Sequence, residues 1–141
     1  MSETTPSSSE HLAVVCVEHD DDNRMIVSLS LGLDEQITPH LASCEAEYWT
    51  LIEKGLQPDL ALIADGLPGE GASSLMRNIR RGDHHEPPPF IVMATGGRAA
   101  DHERYLEAGA IGVILKPFNP LSLAADVRYM RQAYLRSIER L

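Results

Sequence analysis

The stretch from residue 60 to residue 71, LALIADGLPGEG, decides the fold. Leu60–Ala64 is a continuous apolar run of strand length, which is typical of a strand buried in a parallel sheet. A loop rich in acid and glycine follows, and Ser73–Arg81 then shows the apolar spacing of a helix, with Leu75 and Ile79 directed inward. The order strand, loop, helix predicts one unit of a parallel α/β sheet.

The same alternation runs along the rest of the chain. It predicts strands at Leu12–Val17, Ile37–Ala42, Leu60–Ala64, Phe90–Ala94 and Ile111–Leu115, and helices at Asp21–Leu33, Glu45–Lys54, Ser73–Arg81, Asp101–Ala108 and Pro120–Leu141. In the first helix the apolar residues at helical spacing are Met25, Ile26, Leu29 and Leu33. Five strand–helix units in strict order predict a doubly wound five-stranded parallel sheet with helices on both faces. Asn119 is the expected N-cap of the last helix, with Pro120 at its first position.

Length and charge restrict the class of protein. The chain has 141 residues, 12 Lys and Arg against 21 Asp and Glu, and a net charge of −9. This length fits one globular domain, and the acidic balance disfavours binding to nucleic acid or to anionic membranes. No apolar run reaches the roughly 20 residues of a membrane span, and the N-terminus lacks the pattern of a signal peptide. We therefore expect a cytoplasmic protein with a tail over 1–10, a domain over 11–130 and a helical extension over 131–141.

Several common sites are absent or weakly supported. Cys16 and Cys44 form no CxxC pair, and Cys16 is expected to be a small buried apolar residue. The chain has no GxSxG motif and no dinucleotide fingerprint, which disfavours a small hydrolase or a nucleotide-binding protein. His84 and His85 lie in a polar stretch and indicate a solvated loop rather than a metal site.

The loops after the predicted strands carry polar groups that suit phosphoryl chemistry. Glu18-His19-Asp20-Asp21-Asp22 follows the first strand, and such oxygen ligands suit Mg²⁺, although acids before a helix can equally serve as caps. Thr95 and Lys116 follow the fourth and fifth strands. Because parallel strands end at one edge of the sheet, these groups are expected to converge there, where a lysine and a metal ion neutralise phosphate charge.

This combination resembles the receiver domain of two-component response regulators. Four segments carry the resemblance, which covers Leu12 to Met130: Val14–Arg24, Pro58–Arg80, Glu107–Ala110 and Lys116–Phe118. It implies a flavodoxin-like sheet of strand order 2-1-3-4-5 and a signalling role rather than an enzymatic one. It also implies protein partners such as a histidine kinase, a phosphotransferase or a downstream regulator.

The phosphorylation site departs from the family pattern. Counting from Pro58-Asp59 and from Pro68 places the family's phosphoacceptor aspartate at Ala64, with Asp65 one residue later. Glu18 and His19 take the places of the family's two metal-binding acids, and Asp20 can substitute only if the loop shifts. The hydroxyl position falls on Ala94 by one count and on Thr95 by the local motif, and we favour Thr95. The aromatic position of the fifth strand is Val113, while Lys116 matches the family.

Two hypotheses follow. The leading one is a stand-alone, atypical receiver that signals by protein contact without standard aspartyl phosphorylation, and in which Mg²⁺ binding is weak or absent. The alternative is a receiver that uses Asp65 as phosphoacceptor, with Glu18, Asp20 and Asp65 holding Mg²⁺. In that case Thr95 would bond the phosphoryl oxygen and Lys116 would supply the counter-charge.

The last helix is a candidate partner surface. Its apolar stripe comprises Val127, Met130, Tyr134, Ile138 and Leu141, and it is flanked by Arg128, Arg131, Arg136 and Arg140. An apolar stripe flanked by arginine favours a homodimer or partner contact, and a solvated amphipathic tail is the alternative. Since no length remains for a DNA-binding domain, we expect output through contact with another protein.

Overall fold

The computed structural model describes residues 10–67, 71–82 and 86–139. Several sequence-based expectations fall outside these ranges. They concern the tail over 1–9, the loop residues Pro68 to Glu70, the pair His84 and His85, and the last two residues, Arg140 and Leu141.

The ten elements alternate as the sequence predicts. The strands are β1 (Leu12–Val17), β2 (Ile37–Ala42), β3 (Leu60–Ala64), β4 (Phe90–Ala94) and β5 (Ala110–Leu115). The helices are α1 (Asp21–Leu31), α2 (Glu45–Glu53), α3 (Gly71–Arg81), α4 (Ala99–Glu107) and α5 (Leu123–Glu139). All pairings are parallel and the strand order is β2-β1-β3-β4-β5, which confirms the predicted fold.

The predicted start of the last helix is wrong by one turn. The backbone carbonyl of Asn119 accepts hydrogen bonds from the amides of Ser122 and Leu123, at 3.1 Å each. The side chain of Asn119 also accepts the amide of Leu121 at 2.9 Å. These bonds close a separate turn over residues 119–122, so α5 begins at Leu123 rather than at Pro120.

Side-chain alternation divides the core into two layers. On β3, Leu60 and Leu62 pack with α1 and α5, and we call this side the α1/α5 face. Ala61 and Ile63 point the other way and pack with α2 and α3, on the side we call the α2/α3/α4 face. Cys16 lies on the α1/α5 face, where burial raises the pKa of its thiol to about 12. Both cysteines are free, so Cys16 is the buried apolar residue expected from the sequence.

Helix α1 presents an apolar stripe to solvent and ends at Leu31, two residues earlier than predicted, so Leu33 lies beyond it, after the C-cap Gly32. The exposed fractions are 63% for Met25, 44% for Ile26 and 67% for Leu29, and 62% for Leu33. The residues buried against the sheet are instead Val27, Ser30 and Leu31. A buried serine is tolerated because its hydroxyl donates to the carbonyl of Ile26 at 2.7 Å. The helical period fits either stripe, and packing against the sheet selects the one that contains Val27 and Leu31.

Helix α5 is tied to the domain over its first half. Val127 is fully buried and the partly buried Met130 packs against the same core cluster, so these two residues belong to the core rather than to a partner surface. Arg128 pairs with Asp34 at 2.6 Å, and Nε of Arg131 donates to the carbonyl of Asp59 at 3.0 Å. Beyond this point Tyr134 and Ile138 are exposed. None of the helices in the described ranges has the length and hydropathy of a membrane span.

The contact between Arg80 of α3 and the turn from α4 to β5 depends on a glycine. Gly109 has a φ of +117°, and a Cβ there would lie 2.7 Å from Nη1 of Arg80. The same Nη1 donates to the carbonyl of Ala108 at 3.0 Å. The guanidinium of Arg80 therefore rests on the backbone where α4 ends, in space that another residue type would fill.

Replacing this glycine should destabilise the fold. We expect Gly109→Ala to lower the free energy of unfolding by about 1–2 kcal/mol, because alanine is strained at positive φ and the new Cβ displaces Arg80. Urea unfolding measures the change. Gly96→Ala is the control, since nothing lies within 4 Å of a Cβ there. Equal stability of the two variants would contradict the structural role of Gly109.

The Asp34–Arg128 pair should make stability depend on pH. The hydrogen bond from Arg128 lowers the pKa of Asp34 below its usual value of 3.8. A carboxyl whose pKa is lower in the folded state stabilises the fold at neutral pH, and this contribution is lost as pH falls through the folded-state pKa. Asp34→Asn should therefore be less stable than wild type at pH 7, and the difference should shrink as the pH falls below 3.8 and through the folded-state pKa of Asp34. Thermal unfolding across pH tests this, with the exposed Glu35→Gln as control; a difference that persists in acid would argue against it.

Candidate functional site

The candidate site lies where the strands end. Glu18, Asp65, Thr95 and Lys116 each follow the last residue of a strand, at one edge of the sheet. At three of these residues the backbone continues the hydrogen bonding between neighbouring strands. The amide of Glu18 donates to the carbonyl of Ala42 at 3.0 Å, that of Asp65 to Met93 at 3.0 Å and that of Lys116 to Ala94 at 2.7 Å. The alternation of side chains along the strands therefore extends to these residues.

Glu18 and Lys116 form a buried ion pair. Nζ of Lys116 lies 2.8 Å from Oε1 of Glu18, and their side chains are 13% and 5% exposed. The second oxygen of Glu18 accepts the amide of Asp20 at 3.0 Å. A charge this deeply buried is tolerated because both its oxygens have donors. The ion pair thus joins the end of β1 to the end of β5, and the Lys116–Pro117 peptide bond beside it is cis.

The acidic loop after β1 caps α1. Asp20 is the N-cap residue, and its side chain accepts the amide of Asn23 at 2.8 Å. Arg24 donates to the carbonyl of Glu18 at 2.9 Å and pairs with Asp21 at 2.6 Å. Asp21 and Asp22 lie in the first turn, where negative charge is favourable. Of the two interpretations that the sequence left open, helix capping accounts for the contacts of this loop.

Asp65 is bound to Thr95. Its Oδ2 accepts the backbone amide of Thr95 at 2.9 Å and the Thr95 hydroxyl at 3.1 Å. Its Oδ1 is buried and has no hydrogen-bond partner among the residues that the structure describes. Ala94 is the last residue of β4 and is buried. The structure thus brings Thr95, rather than Ala94, into contact with the candidate acid.

Ala64 and Asp65 lie on opposite sides of the sheet. Ala64 is the last residue of β3, is 2% exposed, and follows Leu62 by two residues, which places it on the α1/α5 face. Glu18 and Lys116 share that face, because each follows a residue of the same cluster by two positions, Cys16 and Ile114.

Asp65 falls on the α2/α3/α4 face. It follows Ile63 of that cluster by two residues. Burial and then the charge of Asp65 raise the pKa of Tyr105 in α4, so the phenol lies within electrostatic range of this carboxylate. Among the described residues, no ion pair joins Asp65 to Lys116, whose partner is Glu18. The site is thus divided into a Glu18–Lys116 pair and an Asp65–Thr95 pair.

The contribution of Tyr105 was missed from the sequence. Alternation after Ile63 already directs Asp65 towards the helices on that side, but only the packed position of α4 identifies Tyr105 as its neighbour. At the family's aromatic position the structure places Val113, which pairs with Val92 across β4 and β5.

The predicted metal ligands do not converge. Glu18 is held by Lys116 and by the amide of Asp20, Asp20 caps α1, and Asp65 binds Thr95. His19 is exposed. Within residues 10–67, 71–82 and 86–139, no group of three or more His, Cys, Asp or Glu residues is placed to hold a metal ion. Since Mg²⁺ requires several oxygens in octahedral arrangement, this donor set does not fit it as arranged, and Mg²⁺ stays a prediction.

Comparisons with known proteins agree with this fold. A family model described as "Response regulator receiver domain" matches residues 14–128. The phosphate regulon transcriptional regulatory protein PhoB of Escherichia coli is 32% identical over 71 residues, which is 50% of this chain and 31% of PhoB. PhoB of Rhizobium meliloti is 33% identical over 73 residues, 52% of this chain and 32% of that protein. The matched segment spans about a third of these relatives.

Solved structures show the same architecture. A response regulator from Thermotoga maritima superposes with a TM-score of 0.75 at 22% identity, covering 86% of this chain and 98% of that one. The chemotaxis response regulator CheY4 of Vibrio cholerae gives 0.74 at 19% identity, covering 85% and 98%. At these identities the likeness concerns the fold alone.

A double-mutant cycle tests the ion pair. Lys116→Met should lower the free energy of unfolding by about 3–5 kcal/mol, because it leaves the Glu18 charge buried and unpaired. Adding Glu18→Gln should restore most of that stability, since a buried pair can be replaced by neutral groups at little cost. Lys54→Met, at an exposed lysine, is the control. If the double variant were as unstable as Lys116→Met alone, the two side chains would not be coupled.

Proposed function

This chain belongs to the response regulator receiver family, which its match over residues 14–128 shows, and from this premise we propose that it signals by protein contact without standard aspartyl phosphorylation. The observation that carries the proposal is Ala64. It ends β3 on the face that holds Glu18 and Lys116, where the resemblance places the phosphoacceptor. A methyl group cannot attack phosphorus, so no acyl phosphate forms at this position.

The neighbouring acid does not replace the missing acceptor in this arrangement. Asp65 lies on the opposite face, and its Oδ2 already accepts two hydrogen bonds from Thr95. Lys116, which would neutralise an incoming phosphoryl group, is held at 2.8 Å by Glu18. The groups that phosphoryl transfer requires together are therefore separated, and we propose that Mg²⁺ binding is weak or absent.

Signalling by contact is supported by exposed apolar side chains on α1 and directly after it. Met25, Leu29 and Leu33 recur every fourth residue and all are more than half exposed. Exposed apolar side chains that form one patch mark surfaces that bind other proteins. The partner would be a histidine kinase, a phosphotransferase or a downstream regulator, and a cytoplasmic location is part of the same proposal. The homodimer predicted through the last helix stays a prediction, supported by the exposure of Tyr134 and Ile138.

One observation favours a second candidate, a receiver that is phosphorylated on Asp65. Oδ1 of Asp65 is buried without a partner in the described part of the chain, and the Thr95 hydroxyl lies beside the same carboxylate. A change in the Asp65 side-chain torsions that brings Oδ1 to the surface would offer an unbonded nucleophile to a phosphodonor. In that reaction the carboxylate oxygen attacks phosphorus, the bond to the leaving group breaks, and a mixed anhydride forms on Asp65.

Phosphodonor chemistry distinguishes the two candidates. We expect wild-type protein incubated with acetyl phosphate and Mg²⁺ to show no added phosphoryl group by intact mass spectrometry. Ala64→Asp is the positive control, because it places a carboxylate on the face of Glu18 and Lys116. Its folding is checked first by circular dichroism.

Stoichiometric phosphorylation of the wild type that is lost in Asp65→Asn would overturn our proposal in favour of the second candidate. An Asp65→Asn variant that is phosphorylated as fully as the wild type would exclude Asp65 as acceptor and thereby remove the second candidate.

A further inference from the structure

The amino-terminal edge of the sheet, opposite the ion pair of Glu18 and Lys116, carries a basic surface on an acidic chain. Arg77, Arg80 and Arg81 lie in the last turns of α3, and all three are exposed. We call them the α3 arginine cluster. Together with Glu107 and Ala108 of the α4 end they line a surface cavity of about 470 Å³. In a chain of net charge −9, the lining of this cavity contains one carboxylate beside three guanidinium groups.

The central arginine of the cluster is held in place. Nη1 of Arg80 donates to the carbonyl of Ala108 at 3.0 Å and rests over Gly109, where a Cβ would collide with it. A single carbonyl uses one of the five N–H groups of a guanidinium, so further donors remain for a ligand. Because the side chain is already ordered, less conformational entropy is lost when an anion binds to it.

A second cavity shares this arginine. Arg80 also lines a cavity of about 400 Å³, whose α5 wall carries Tyr134, Leu135 and Ile138. Pro88 and Phe90 lie along its side towards β4, and the charged side chains of Asp59, Glu86 and Arg131 also line it. We call the two cavities that meet at Arg80 the groove; it has three guanidinium groups at the α3 end and an apolar wall along the second half of α5.

We propose that this groove binds an extended segment of a partner protein in which consecutive carboxylates stand next to large apolar residues. Guanidinium groups bind carboxylates through paired hydrogen bonds, and the apolar wall of α5 accepts the neighbouring side chains. Nucleic acid fits less well, because the net charge of −9 repels a long polyanion, while the α3 arginine cluster is small enough to match only a few adjacent carboxylates.

The proposal goes beyond the function given above and does not depend on it. The groove lies at the edge of the sheet away from Ala64 and Asp65, so binding there can occur whether or not an acyl phosphate forms. Failure of one proposal therefore leaves the other standing.

Peptide binding to the full chain tests the groove. The probe is a short fluorescein-labelled peptide of glutamates followed by leucines, and the matched peptide carries lysines in place of the glutamates. Fluorescence anisotropy at low salt should show saturable binding of the acidic peptide, at least about tenfold tighter than that of the basic one. Raising the salt concentration should weaken it.

Three variants locate the binding. Arg81→Glu should weaken binding about tenfold, because it reverses one charge of the cluster without touching the contacts of Arg80. Ile138→Ser should weaken binding of the peptide that contains leucine. It should leave the affinity for a peptide of glutamates alone unchanged. Arg98→Glu is the matched control, since it makes the same change in net charge at an exposed residue of the opposite edge, and it should change affinity less than about twofold. Circular dichroism and thermal unfolding confirm that each variant is folded.

Several results would overturn the proposal. They are the absence of saturable binding by the wild type, an equal loss of affinity in Arg98→Glu, and full competition by a single-stranded oligonucleotide of the same charge. The last result would show a general polyanion surface instead of a peptide groove.

Discussion

Strict alternation of side chains along β3 is the constraint on which the rest of the site depends. The amide of Asp65 still donates to the neighbouring strand, so the backbone remains extended past Ala64. A shift of one residue in an extended strand exchanges the two faces of the sheet. The carboxylate of Asp65 is therefore carried towards α4 and Tyr105, while the methyl group of Ala64 remains on the face of the sheet that holds Glu18 and Lys116. The acid is shifted by one residue in the sequence, and this shift moves its side chain from one face of the sheet to the other.

The ion pair between Glu18 and Lys116 follows from that exchange. With alanine between the ends of β1 and β5, the lysine has one buried carboxylate to neutralise, and it does so directly. The same contact explains why the acidic loop can be so dense. Glu18 is neutralised by Lys116, Asp20 serves as a cap and Asp21 pairs with Arg24, so each acid has a local role in folding. An acidic sheet edge is thus compatible with a receiver fold in which metal binding and phosphoryl transfer are not the organising interactions.

The exposed surfaces indicate where the chain can act on other molecules. Helix α1 needs only Val27 and Leu31 to hold it on the sheet, which leaves Met25, Leu29 and Leu33 in solvent. Helix α5 is held on the domain by Val127 and by the Arg128–Asp34 pair. Its second half lines the groove at the amino-terminal edge of the sheet.

The sequence by itself determined the fold and the unusual composition of the site. Continuous apolar runs such as Leu60–Ala64 identify buried parallel strands without knowledge of their neighbours, and β1, β2, β3 and β4 have the predicted bounds. Counting along the chain predicts Ala64 at the family's acceptor position, and the structure places it as the last residue of β3. Helix ends were less certain, because Asn119 can equally cap a helix or close a separate turn.

Only the tertiary structure decided which partner each polar or apolar group has. The stripe of Met25 and Leu29 has the same helical period as the buried stripe of Val27 and Leu31, and only packing on the sheet distinguishes them. Glu18 and Lys116 are 98 positions apart, so their pairing depends on the order of the strands. Likewise, the proximity of Arg80 to Gly109 exists only after α3 and α4 have packed, because no local pattern encodes a contact between distant segments.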